Sequence, residues 1–107
     1  MVLDLDTWHA FCKRQGSREL RDILMLWWDP LGVHGVPEAL DEYDTQVGQI
    51  GHRLRKGGSV EDITAYLEAN DFGLPDSSRD RAAAVKVVEW YEQSMKRLGE
   101  FEDEREN

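Results

Sequence analysis

Residues 27–44, WWDPLGVHGVPEALDEYD, constrain the fold more than any other stretch of this chain. Pro30 removes a backbone donor and biases Asp29 out of helical geometry, so the apolar run ILMLWW before it must stop there. Gly32 and Gly35 permit backbone angles that other residues resist. Pro37 suits the first turn of a following helix, where its missing N–H would have been unpaired anyway. The chain is thus forced into helix, short connection, helix, with two tryptophans at the corner. Consecutive helical positions point about 100° apart, so one of Trp27 and Trp28 faces the core and the other meets a second element or solvent. Burial of Leu31, Val33 and one of the two tryptophans is expected. The structural junction is taken as Trp27, Trp28, Asp29, Pro30, Gly32 and Pro37.

Helical periodicity accounts for most of the remaining chain. Asp6 or Thr7 can cap a short first helix carrying Trp8, Phe11 and Cys12, with Gly16 as its stop and Ser17 as the next cap. Leu20, Ile23, Leu24, Trp27 and Trp28 make the second helix apolar on nearly every side, as a central helix would be. Leu40, Tyr43, Val47, Ile50 and Leu54 recur at spacings of three and four, predicting a third helix from Pro37 to the Gly57-Gly58 stop. Its acidic start and its basic end at Arg53, Arg55 and Lys56 suit the helix dipole. Ser59 with Asp62 resembles a capping box, opening a short helix with Val60, Ile63 and Leu67 inward. Phe72-Gly73-Leu74-Pro75 reads as a turn, and Asp76 to Ser78 offer caps for a last helix along Ala84, Val88, Tyr91, Met95 and Leu98. No strand-like alternation of useful length appears. The expectation is an all-α fold, a single compact domain over 1–98 of four main helices plus a short N-terminal one, with 99–107 a disordered acidic tail.

Charge narrows the classes of partner. The net charge is −9, and much of it lies in two places. The tail holds five acidic side chains against Arg105, and residues 59–74 hold Glu61, Asp62, Glu68 and Asp71 with no basic residue. Phosphate backbones and anionic membranes need clustered Lys and Arg, so nucleic-acid and membrane partners are disfavoured. The N-terminus shows no basic, then apolar leader pattern, and the longest apolar run is far below the ~20 residues of a membrane span. One cysteine, Cys12, excludes an internal disulfide and fits a reducing compartment. A cytoplasmic protein is expected.

Residues that could carry chemistry have bland readings beside them. His9 and Cys12 share a helix face, but a nucleophilic thiolate needs a base and an orienting third group. Beside Trp8 and Phe11 the pair reads as packing. His34 with Glu38, Asp41 or Glu42 has too few convergent ligands for a metal, and His52 is distant in sequence. Asp41 and Asp44 could form an acid–base pair, although acids at a helix start are what the dipole alone selects. No Walker-type phosphate loop is present. No cofactor and no metal are expected.

The pattern W-D-P-L-G-V-x-x-x-P-E-A-x-D-E-Y-D, Trp28 to Asp44, resembles a family of small bacterial proteins classed as a domain of unknown function. The family pattern continues here through Leu54, Gly58-Ser59-Val60-Glu61-Asp62-Ile63, Tyr66-Leu67 and Phe72-Gly73-Leu74. The resemblance implies a small helical fold and a bacterial cytosolic setting, and it brings no activity or catalytic residue.

Two functional classes follow. The first is a non-catalytic protein-binding module, most concretely an immunity-type or antitoxin-type inhibitor that neutralises a partner with a basic surface. Asp41, Glu42, Asp44, Glu61, Asp62, Glu68 and Asp71 would be its partner-facing carboxylates, and electrostatic steering its route to fast association. The second is a small bacterial enzyme working at the Pro-Gly junction through His34 and the acids at 41–44. A homo-oligomer whose apolar helix faces meet is a third reading.

Overall fold

The structure, a computed structural model, describes residues 5–106, and side chains over 6–98. Its elements are α1 (Leu5–Phe11), a π-helical segment (Cys12–Gly16), α2 (Ser17–Trp27), a 3-10 turn (Pro37–Ala39), α3 (Asp44–Arg55), α4 (Val60–Ala69) and α5 (Ser77–Glu106). There is no strand among the described residues, so the fold is all-α. Over 99–107, expected as a disordered tail, the backbone of α5 continues as helix to Glu106, and the side chains lie outside the described residues.

α5 is the spine, packed along α4 and α2, while α3 lies against α2 and more lightly against α4. One core joins Leu20, Leu24, Met25 and Trp28 of the α2 region to Tyr43, Val47, Ile50 and Leu54, to Ile63, Tyr66 and Leu67, and to Ala83, Ala84 and Val87. The two alanines let α5 approach its neighbours closely where large side chains on α2 and α4 fill the space. A second cluster seats Trp8 and Phe11 on Trp90, Tyr91, Met95 and Leu98. Trp8 meets Tyr91 edge-on at 5.2 Å and Phe11 stacks on Trp90 at 6.2 Å. Polar contacts also tie helices together: Trp90 Nε1–H donates to Glu19 Oε1 at 2.9 Å, and the Arg53 guanidinium lies 4.7 Å from the Tyr66 ring centre.

Three local expectations are corrected. Gly16 does not stop the first helix. The backbone runs on through the π-helical turn into α2, with Gly16 itself helical and Ser17 inside the helix rather than capping it. The reason is packing: a Cβ on Gly16 would sit 2.7 Å from the Phe11 ring, so this glycine admits an aromatic side chain instead of ending a helix. Pro37 does not open the third helix either. It opens the one-turn 3-10 segment, and α3 begins at Asp44. Leu40, expected on the buried stripe, therefore precedes α3 and is 58% exposed.

Other local signals are read as expected. Gly57, with φ +86°, follows the end of α3, and Gly58 N–H donates to Arg53 O at 2.9 Å. The capping box is formed in both directions, Asp62 N–H to Ser59 Oγ and Ser59 N–H to Asp62 Oδ2. Asp76 Oδ1 accepts from Arg79 N–H, as a cap for α5 should.

Candidate functional site

The junction is built around three side chains: Trp28, Asp29 and Tyr43. Trp28, just past the end of α2, is the tryptophan that enters the core, while Trp27 remains 45% exposed with Lys86 Nζ 4.8 Å from its ring centre. The Trp28 indole packs on Tyr43 at 5.2 Å, and both rings meet Phe72 of the α4–α5 loop at 6.3 and 6.0 Å. Its Nε1–H donates to Asp80 Oδ1 at 3.0 Å, tying the end of α2 to the start of α5. Asp80 is buried beneath Arg79, whose Nε and Nη2 reach the same oxygen at 3.2 and 3.0 Å.

Asp29 turns the chain. Its φ is +35°, a left-handed conformation that aspartate tolerates better than most residues. The side chain supplies what glycine could not. Oδ1 accepts from Val33 N–H at 2.8 Å and from the Tyr43 hydroxyl at 2.7 Å, and Oδ2 accepts from His34 N–H at 3.0 Å. The Tyr43 oxygen in turn accepts from Leu31 N–H at 3.1 Å. Burial alone would raise the Asp29 carboxyl, but the hydrogen bonds from Tyr43, Val33 and His34 outweigh it and hold the group below its ordinary range. Burial first, then the bond to Asp29, pushes the Tyr43 hydroxyl up, so it stays a donor.

With its polar groups turned inward, the junction presents apolar ones to solvent. The large exposed hydrophobic residues among those described are Leu26, Trp27, Leu31, Val36, Leu40, Phe72 and Leu74. Every one lies on the junction, on the last turn of α2 or on the loop that packs against Trp28 and Tyr43. Leu31 is thus exposed, against expectation, although its N–H donates to the Tyr43 hydroxyl. Leu26, Met25, Val33 and Leu40 line one hollow of about 320 Å³ together with Asp22 and His34.

The carboxylates expected to face a partner divide into groups. Asp41 and Glu42 are exposed beside Leu40. Asp44 is held by Arg21 of α2 at 2.9 Å. Glu61 and Glu68 are exposed two turns apart on one face of α4, with Asp62 in its capping box. Asp71 is buried, its Oδ1 accepting from Gly73 N–H, so its carboxylate serves the turn.

Of the residues named for an enzyme reading, Asp44 is paired with Arg21, and His34 is tied to the junction through its backbone N–H, which donates to Asp29 Oδ2. Among the described residues no three His, Cys, Asp or Glu side chains are grouped as a metal ion requires. Burial raises the Cys12 thiol, which disfavours the thiolate. Among the described residues, no helix is long and apolar enough to cross a membrane.

Asp80 is the junction residue absent from the sequence-based expectations, which take Asp76 to Ser78 as caps and begin the inward stripe of the last helix at Ala84. A signal was present: Asp80 precedes Ala83, Ala84 and Val87 by three, four and seven residues, which puts it on the buried stripe of α5. The chain matches no known protein family, no curated protein and no solved structure.

Proposed function

We propose that this protein is a non-catalytic protein-binding module that docks through the α2–α3 junction and the loop packed against it. The observation that carries the proposal is that the large exposed apolar side chains among the described residues all belong to the end of α2, the α2–α3 junction or the α4–α5 loop, with Leu26 and Leu40 lining one hollow. Exposed apolar residues scattered singly need no explanation, but a cluster bordered by polar groups marks an interaction surface. Trp27 suits the role of anchor, being large, amphipathic and half-exposed on a rigid helix end. Asp41 and Glu42 beside Leu40, and Glu61 and Glu68 on α4, supply negative charge for steering. The partner chemistry that fits is an apolar knob within a basic surface. An immunity-type or antitoxin-type inhibitor of a basic toxin, acting in the bacterial cytoplasm, is the most concrete form of this reading.

A second copy of the chain could cover the same apolar residues, but it would bring net −9 against net −9. Like-charge approach slows encounter and weakens the complex, so a basic partner is the better match.

The experiment is affinity purification from the native host, followed by binding measurements with the identified partner. Trp27→Ala combined with Leu40→Ser should weaken binding by more than about tenfold while leaving the fold intact, as expected for anchors at a hot spot. Unchanged affinity of that variant, or recovery of only the homodimer, would overturn the reading.

A further inference from the structure

We propose that the hollow between the second half of α2 and the junction takes one apolar side chain of the partner, and that Asp22 at this hollow selects a partner segment with Lys or Arg next to that side chain. The assignment rests on docking at the junction and names the chemistry that docking there calls for.

Met25 and Leu26 of α2 face Val33 and Leu40 of the junction across about 320 Å³. Met25 is buried whereas Leu26 and Leu40 are exposed, so the hollow opens from the core to the surface. Its volume is at the lower end of sites that enclose a small molecule, which suits a protruding side chain. The lining is held in place before any partner arrives. Asp29 accepts from the N–H of Val33 and of His34, both of which line the hollow. A surface fixed in advance loses less freedom on binding. The methionine in the floor adapts to aliphatic side chains of different shape.

Charge decides what stands beside the apolar side chain. Between residues 22 and 52 the chain has six carboxylates and no Lys or Arg. Asp29 is turned into the junction and Asp44 is held by Arg21 at 2.9 Å. The other four, Asp22, Glu38, Asp41 and Glu42, are exposed and form no ion pair among the described residues. Asp22 lines the hollow itself, and Asp41 and Glu42 follow Leu40 directly. A partner carboxylate next to the anchor would meet like charge, whereas Lys or Arg there meets Asp22. Asp22 therefore acts on specificity, and the aliphatic lining supplies the affinity.

The test is an NMR titration of the full chain with three capped tripeptides: acetyl-Arg-Leu-Arg-amide, its neutral isostere with citrulline in place of both arginines, and acetyl-Arg-Ser-Arg-amide. The first should shift the methyl signals of Leu26, Val33 and Leu40. The citrulline peptide should bind about threefold to fivefold more weakly, the range of one exposed ion pair. The serine peptide should bind more than about tenfold more weakly, for want of a buried leucine. Asp22→Asn should bring the two leucine peptides within about twofold of each other. Glu92→Gln, the same charge change at an exposed position of α5, should leave their difference as in the parent chain. The proposal is overturned if the methyl signals do not move, if the serine peptide binds as well as the leucine one, or if Glu92→Gln narrows the difference as much as Asp22→Asn. Dimerisation of the chain that Leu40→Ser abolishes would give the hollow to a second copy and overturn it too. If the preference survives Asp22→Asn while Trp27→Ala with Leu40→Ser still loses the partner, docking at the junction stands and selection by Asp22 falls.

Discussion

Trp27 and Trp28 are chemically identical neighbours with opposite fates, and the difference is measurable. Trp28→Ala removes a buried indole and should cost about 3–5 kcal/mol, enough to unfold a marginal domain. Trp28→Phe keeps most of the ring but removes the indole donor to Asp80, whose Oδ1 keeps Arg79, so about 1–3 kcal/mol, the worth of one hydrogen bond to a charged group, is expected from that loss. Trp27→Ala should change stability by less than about 1 kcal/mol, as at other half-exposed positions. Denaturant unfolding of the three variants gives the order, and a Trp27 variant as damaged as the Trp28 ones would refute the assignment. Asp29 offers a second test. Asn tolerates the same left-handed backbone, so Asp29→Asn separates the charge from the turn. Because the folded carboxyl sits below its ordinary range, its stabilisation is complete above about pH 4 and is lost as pH falls through the depressed value. The melting-temperature gap between parent and Asp29→Asn should therefore be full at neutral pH and narrow in acid. A gap independent of pH would mean that the charge contributes nothing.

At the scale of elements, glycines in similar helical surroundings serve opposite ends. Gly16 admits the Phe11 ring, which is itself fixed against Trp8 and Trp90. Gly16→Ala should therefore destabilise by about 1–3 kcal/mol through overpacking. Gly48→Ala meets open space on a helical backbone and should stabilise by about 0.5–1 kcal/mol. Thermal unfolding of the two variants decides the sign at each site. Equal shifts in the same direction would mean that the π-helical turn does not depend on the glycine.

For the molecule as a whole, the consequence of its charge is kinetic. Association with a basic partner should slow with added salt, since the Debye length falls from ~10 Å at 0.1 M to ~3 Å at 1 M. Reversing Glu61, Asp62 and Glu68 to Lys should slow association and flatten that salt dependence, whereas deleting residues 100–107 should do so far less. Because Asp62 also holds a capping box, Glu61→Lys with Glu68→Lys is the variant in which a slower rate speaks for steering alone. Stopped-flow rates across a salt series measure this. Loss of binding on tail deletion, with the reversals silent, would place the interface elsewhere.

Helical class, the Gly57-Gly58 stop, the Ser59 capping box and the inward stripe Tyr43, Val47, Ile50 and Leu54 are determined by the sequence itself. Each depends on contacts a few residues apart, where period and cap chemistry act directly. Tertiary structure decided the rest. Pro37 is compatible with a helix start, but Asp29 gathers the backbone of 33 and 34 and the hydroxyl of Tyr43, which leaves only a single 3-10 turn before α3 begins at Asp44. Gly16 could end a helix by its own preferences, until the Phe11 ring occupies the space its side chain would need. Which tryptophan is buried depends on Asp80, fifty-two residues after Trp28, and which leucines stay exposed depends on a loop from the far side of α4. Those outcomes are set by partners distant in sequence, and no local pattern carries their positions.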